Sequence, residues 1–67
     1  MYRNLEAEMT RKGIKKKNIA ALIDVTKDTL TNKLQGKSDF TVSEASKIRD
    51  NHFEEMTFEY LFKKIDN

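Results

Sequence analysis

The apolar positions of this chain fall into short sets at helical spacing, separated by single glycines or brief polar corners. Tyr2, Leu5 and Met9 stand at i, i+3 and i+7, which predicts a first helix from near Asn4, a possible cap, to Lys12. Gly13 ends it, and Ile14 tucks in behind the stop. Ile19, Leu22 and Ile23 lie on one face of a second helix, and Ala20 beside them is small enough to let another helix approach. That pattern breaks at Asp24-Val25-Thr26, where Thr26 is a good N-cap for a third helix from Lys27 to Gln35. Leu30 and Leu34 form its inner face, and Gly36 supplies a left-handed stop.

The clearest helix start follows a loop at Gln35-Gly36-Lys37-Ser38. Thr41 with Glu44 three residues on makes a capping box, and Phe40 can staple against Ala45. Val42, Ala45 and Ile48 are assigned to the core side of this fourth helix, which runs out near Asp50 or Asn51, while Lys47 and Arg49 face water. Thr57 caps a last helix whose stripe is Phe58, Leu61, Phe62 and Ile65. Tyr60 lies off that stripe and, with the 51 to 57 loop, is the candidate contact of a homodimer. The pattern therefore predicts an all-α fold of five helices. Proline is absent and no alternating β-branched run suggests a strand.

Length and composition narrow the chemistry. A chain of 67 residues is read as one domain, residues 1 to 67, with a small core, since a chain this short buries only roughly 60% of its unfolded surface. It has no cysteine, and His52 is its only histidine, better read as a surface or capping residue than as a ligand, so no metal is expected. No nucleophile and base pair stands out, and both glycines are explained as helix stops rather than a phosphate-cradling loop. The chain is thus not expected to be an enzyme, to hold a cofactor or to take a small-molecule substrate. The charged start MYRNLEAEMT resembles neither a signal peptide nor a membrane span, which makes the expected location cytoplasmic.

Charge adds what periodicity cannot. The formal net charge of +2 conceals an asymmetry: residues 1 to 37 hold 9 Lys/Arg against 4 Asp/Glu, and residues 38 to 67 hold 4 against 7. A polyanion binder needs its positive field only on the docking side. Lys15, Lys16 and Lys17 open the second helix, where the dipole disfavours cations by ~0.3–1 kcal/mol each. Phosphates would offset that penalty.

Ala20, the Asp24-Val25-Thr26 corner, Thr29-Leu30-Thr31 and Lys33-Leu34 stand in a register that resembles the phage Cro/CI-type repressors of the XRE-like helix-turn-helix family. The closing TFEYLF segment resembles that family's last helix, so the likeness spans the chain. It departs at Asp24, where the family usually has glycine. The resemblance implies a lambda-repressor-like fold, with the second and third helices as the helix-turn-helix, and a transcriptional regulator that puts the third helix in the major groove of double-stranded DNA. By that register Lys27, Asp28, Thr31 and Asn32 are the base readers. Their chemistry suits Lys27 to guanine O6/N7, Asn32 to adenine N6/N7, and Thr31 to a thymine methyl or an acceptor. Asp28 either accepts from a cytosine amino group or serves the helix dipole. Candidate phosphate contacts are Lys15, Lys16, Lys17, Thr26, Lys37 and Ser38, together with Lys33, which is read as pointing sideways to a phosphate or to water. A symmetric dimer would read a pseudo-palindromic operator. The competing expectation is a protein-interaction module of the same fold, an antitoxin or anti-repressor partner that binds through its acidic second half.

Overall fold

Three of the helix ends share one backbone solution, and these turns set the path of the first half of the chain. In the computed structural model, which describes residues 1–65, helix α1 spans Arg3–Lys12, α2 Lys16–Leu22, α3 Lys27–Leu34, α4 Val42–His52 and α5 Phe58–Leu61. After α1, Gly13 (φ 69°) donates its N–H to Thr10 O at 3.1 Å and Ile14 donates to Met9 O at 2.8 Å. After α2, Asp24 (φ 60°) donates to Ala21 O at 3.3 Å and Val25 to Ala20 O at 2.9 Å. After α3, Gly36 (φ 86°) donates to Lys33 O at 3.1 Å and Lys37 to Asn32 O at 2.9 Å. Each pair of bonds is a Schellman motif, which satisfies helix-end carbonyls by turning one residue left-handed.

Asp24 is the non-glycine residue with positive φ among the described residues. A side chain there is strained by about 1–2 kcal/mol, part of which glycine would return as extra unfolded-state freedom. Asp24→Gly is therefore expected to raise stability by about 0.5–1 kcal/mol in a thermal melt. A lower melting temperature would mean that the carboxylate stabilises the corner. Gly36 answers to a different constraint, because a Cβ there would stand 3.2 Å from the backbone nitrogen of Met1.

The starts follow side-chain chemistry. Thr26 accepts from Thr29 N–H at 3.1 Å, and Thr57 from Tyr60 N–H at 3.1 Å. Thr41 and Glu44 exchange both bonds of a capping box at 3.0 Å each. Asn4 is no cap, since α1 begins one residue earlier; its amide donates to Tyr60 O at 2.8 Å and ties α1 to α5.

The core gathers Tyr2, Leu5, Met9, Ile19, Ala20, Ile23, Leu30, Leu34, Ile48, Phe53 and Leu61. Helix α3 packs against α2 and α1, α2 also meets α4, and α1 meets α5. Tyr2, Phe40 and Phe62 meet edge to face with centroids 5.1, 5.5 and 6.1 Å apart, an arrangement that suits the ring quadrupoles.

Several outer positions differ from expectation. Val42 is 83% exposed rather than on the core side. It stands six residues before Ile48, about 120° round a helix of roughly 100° per residue, so the Ile48 face reaches the first turn at Glu44 and Thr41. Helix α5 is a single turn: Phe58 is 40% exposed, and Ile65, beyond the helix, donates its N–H to Met1 O at 2.8 Å. Arg49 is half-buried rather than turned fully to water. Its Nε donates to Met56 O at 2.6 Å, and its guanidinium lies 5.1 Å from the Phe58 centroid, closing the loop after α4. Among the described residues no helix is long and apolar enough to cross a membrane.

Candidate nucleic-acid interface

Helix α2 begins without the threonine side-chain cap that α3, α4 and α5 have. Lys15 occupies the N-cap position, and a lysine carries no acceptor, so only the reciprocal bond forms, from Lys15 N–H to Asn18 Oδ1 at 3.2 Å. No acid stands in the first turn of α2. Lys15, Lys16 and Lys17 are all exposed there, three cations at the positive end of a helix.

At the start of α3, Lys27, Asp28 and Asn32 are exposed and Thr31 is half-buried. Asp28 is the acid of that first turn and complements the helix dipole. Thr26 gives its hydroxyl to Thr29 twice, accepting from the N–H and donating to Oγ1 at 2.9 Å. Lys37 and Ser38 are exposed in the loop after α3.

The cations divide into those that meet a carboxylate of the same chain and those that do not. Lys12 pairs with Glu55, and Arg11 with Glu8 at 3.4 Å; in the second half, Arg49 faces Asp50 at 3.5 Å and Lys64 faces Asp39. Lys12 holds the Glu55 carboxyl below the usual range, and Lys64 does the same for Asp39. Lys15, Lys16, Lys17, Lys27 and Lys37, by contrast, have no ion pair among the described residues, as is also true of Arg3, Lys47 and Lys63.

Lys33 corrects the sequence expectation. Its side chain neither points sideways nor reaches solvent: the residue is 9% exposed, with Nζ 3.1 Å from Glu44 Oε1 and 3.0 Å from Asp39 O. It is a link between α3 and α4, out of reach of a phosphate at the surface. Burial pushes the Glu44 carboxyl up, but the Thr41 N–H and Lys33 outweigh it and hold the group below its ordinary value.

Glu8 and Tyr60 form a second pair, which links α1 to α5. Glu8 is 3% exposed and accepts from the Tyr60 hydroxyl at 2.6 Å, which pushes the phenol pKa up. The Tyr60 hydroxyl is thus engaged within the chain, although the residue is 42% exposed. The signal for Glu8 was its place between Leu5 and Met9 on the apolar stripe, with Arg11 one turn on. A separate apolar groove of about 330 Å³ is lined by Tyr2, Phe40, Val42, Ala45, Phe58 and Phe62, residues outside α2 and α3. Among the described residues no three His, Cys, Asp or Glu side chains gather as a metal site would require. Comparison with protein-family models, with curated proteins and with solved structures gives no match.

Proposed function

We propose that this chain is a sequence-specific, double-stranded-DNA-binding transcriptional regulator of the helix-turn-helix type, with α2 and α3 as the two helices and α3 entering the major groove. One observation carries the reading. Of the eight Lys/Arg without a carboxylate partner among the described residues, five bracket α2 and α3, at Lys15 to Lys17, Lys27 and Lys37, around the exposed polar side chains of Asp28 and Asn32; Arg3, Lys47 and Lys63 are the other three. Unpaired cations at two helix starts and in the following loop suit phosphates on either side of a groove, and polar side chains between them suit base edges. In this reading Lys15, Lys16, Lys17, Lys37 and Ser38 hold the backbone, while Lys27, Thr31 and Asn32 read bases. A symmetric pair of chains would read a pseudo-palindrome in the cytoplasm of the host cell.

The protein-interaction reading has less support. Asp39, Glu44, Asp50 and Glu55 of the acidic half each already face a cation of the same chain, which leaves less field for an external basic partner.

Asn32→Ala tests the proposal. Measured over duplexes that differ by single base pairs, it is expected to flatten preference at one position by about 1–3 kcal/mol while leaving the others in place. Uniform weakening over every position would remove Asn32 from the base readers, and an unchanged profile would argue against α3 as the reading helix.

A further inference from the structure

Lysine is rarely buried, because its ammonium must be desolvated and then held by several acceptors. Position 33 lies beside Leu34 on α3, and a methionine or leucine there would cover the core without that cost. What the lysine adds is a set of three anchors on one downstream segment: Asp39 O at 3.0 Å, Glu44 Oε1 at 3.1 Å and the Phe40 ring with its centroid 5.9 Å away. Glu44 at the same time accepts from Thr41 N–H, so the carboxylate that holds Lys33 also holds the start of α4.

The segment in between is the loop with Lys37 and Ser38. Its upstream end is pinned by the Gly36 and Lys37 amides on α3 carbonyls. Ser38 and Asp39 follow, exposed, and among the described residues their N–H groups donate to no protein acceptor. Such amides beside a lysine are the chemistry that a DNA phosphate takes. The geometry points to Lys33 as a positioning residue for this loop: by gripping Asp39, Phe40 and Glu44 from beneath, it aims the Ser38 and Asp39 amides and Lys37 at one backbone phosphate without touching it. This role rests on the DNA-binding reading above.

The test is a double-mutant cycle on the full chain, with anisotropy of a labelled random-sequence duplex pool as readout and amide exchange alongside. Lys33→Met keeps an unbranched side chain one atom shorter and removes the charge. It is expected to weaken binding roughly tenfold, the factor carried by one charge-assisted hydrogen bond, and to speed exchange at Ser38 and Asp39. In a Lys37→Ala background, where the loop contact is already impaired, the same change is expected to have less than about a threefold effect, because the two residues act through one contact. Glu44→Gln supplies a second variant that keeps the capping box and removes the charge opposite Lys33, with a loss in the same direction. Equal loss in both backgrounds would overturn the proposal by making Lys33 act independently of the loop, and so would unchanged affinity. If the wild-type chain shifts no duplex, the DNA reading itself falls and the role in binding falls with it. Slower loop exchange in Lys33→Met would overturn the positioning role whatever the affinity.

Discussion

Phe53→Ala is expected to destabilise the fold by about 3–5 kcal/mol, a large part of the 5–15 kcal/mol typical of a whole domain. Phe53 is fully buried and is the largest side chain so enclosed. It sits where the chain leaves α4, with its N–H on Arg49 O at 2.8 Å and its carbonyl accepting from Met56 N–H at 2.9 Å, so the backbone on both sides is fixed. The Lys12 ammonium lies 5.2 Å from its ring centroid and donates to His52 O at 2.7 Å. A cavity at this point cannot collapse easily, because those bonds keep the loop and α1 in place; the cost therefore belongs at the upper end for a large-to-small change. Phe58, a residue of the same type but 40% exposed, is the control: Phe58→Ala should cost about 1 kcal/mol, in line with partial burial. Urea denaturation measures both. Comparable losses would show that Phe53 does not close the core.

Replacing Lys15, Lys16 and Lys17 together by alanine should move stability and DNA affinity in opposite directions. The three lysines stand at the N-cap and first turn of α2, have no carboxylate partner among the described residues, and oppose the helix dipole. Removing them is expected to stabilise the free protein by about 1–3 kcal/mol, from ~0.3–1 kcal/mol each. If each holds a phosphate, binding weakens for every duplex and the slope of log K against log salt becomes shallower by about 2.7, at roughly 0.9 per phosphate. A purely solvated lysine face would give the stabilisation with no change of slope. A drop in stability would show that the lysine stems serve packing instead.

How far the fold was legible in the residues depends on the range of the interaction concerned. Gly13, Gly36, the threonine caps at 26, 41 and 57 and the Thr41-Glu44 box act within a few residues, and each appears where local chemistry puts it. The left-handed Asp24 is equally local, but only the resemblance to a family with glycine at that corner implied it. Lys33, Arg49, Glu8 and Phe53 were beyond that range for a different reason. A polar residue at 33, 49 or 8 looks like surface until its acceptor or donor is known, and those partners, Glu44, Met56 and Tyr60, are set by tertiary packing. Phe53 belongs to no apolar stripe, since it lies between His52 and Glu54 at the exit of a helix. Val42 was misplaced by counting a three-residue spacing where the angle round the helix decides. Ile65 was misplaced because its backbone pairs with Met1 instead of extending α5. Of the candidate site, the exposed lysines of α2, Lys27, Asp28, Asn32, Lys37 and Ser38 lie at the surface as a binding role requires, whereas Lys33 does not.

Whether α3 reads base sequence is decided most directly by selection from a random duplex library with the wild-type chain. A reading helix should recover related half-sites, paired as a pseudo-palindrome with centres about one helical turn apart, and retained at moderate salt. A recovered pool with no shared sequence, at salt low enough for binding, would contradict it and leave only non-specific attraction between the lysines and phosphate.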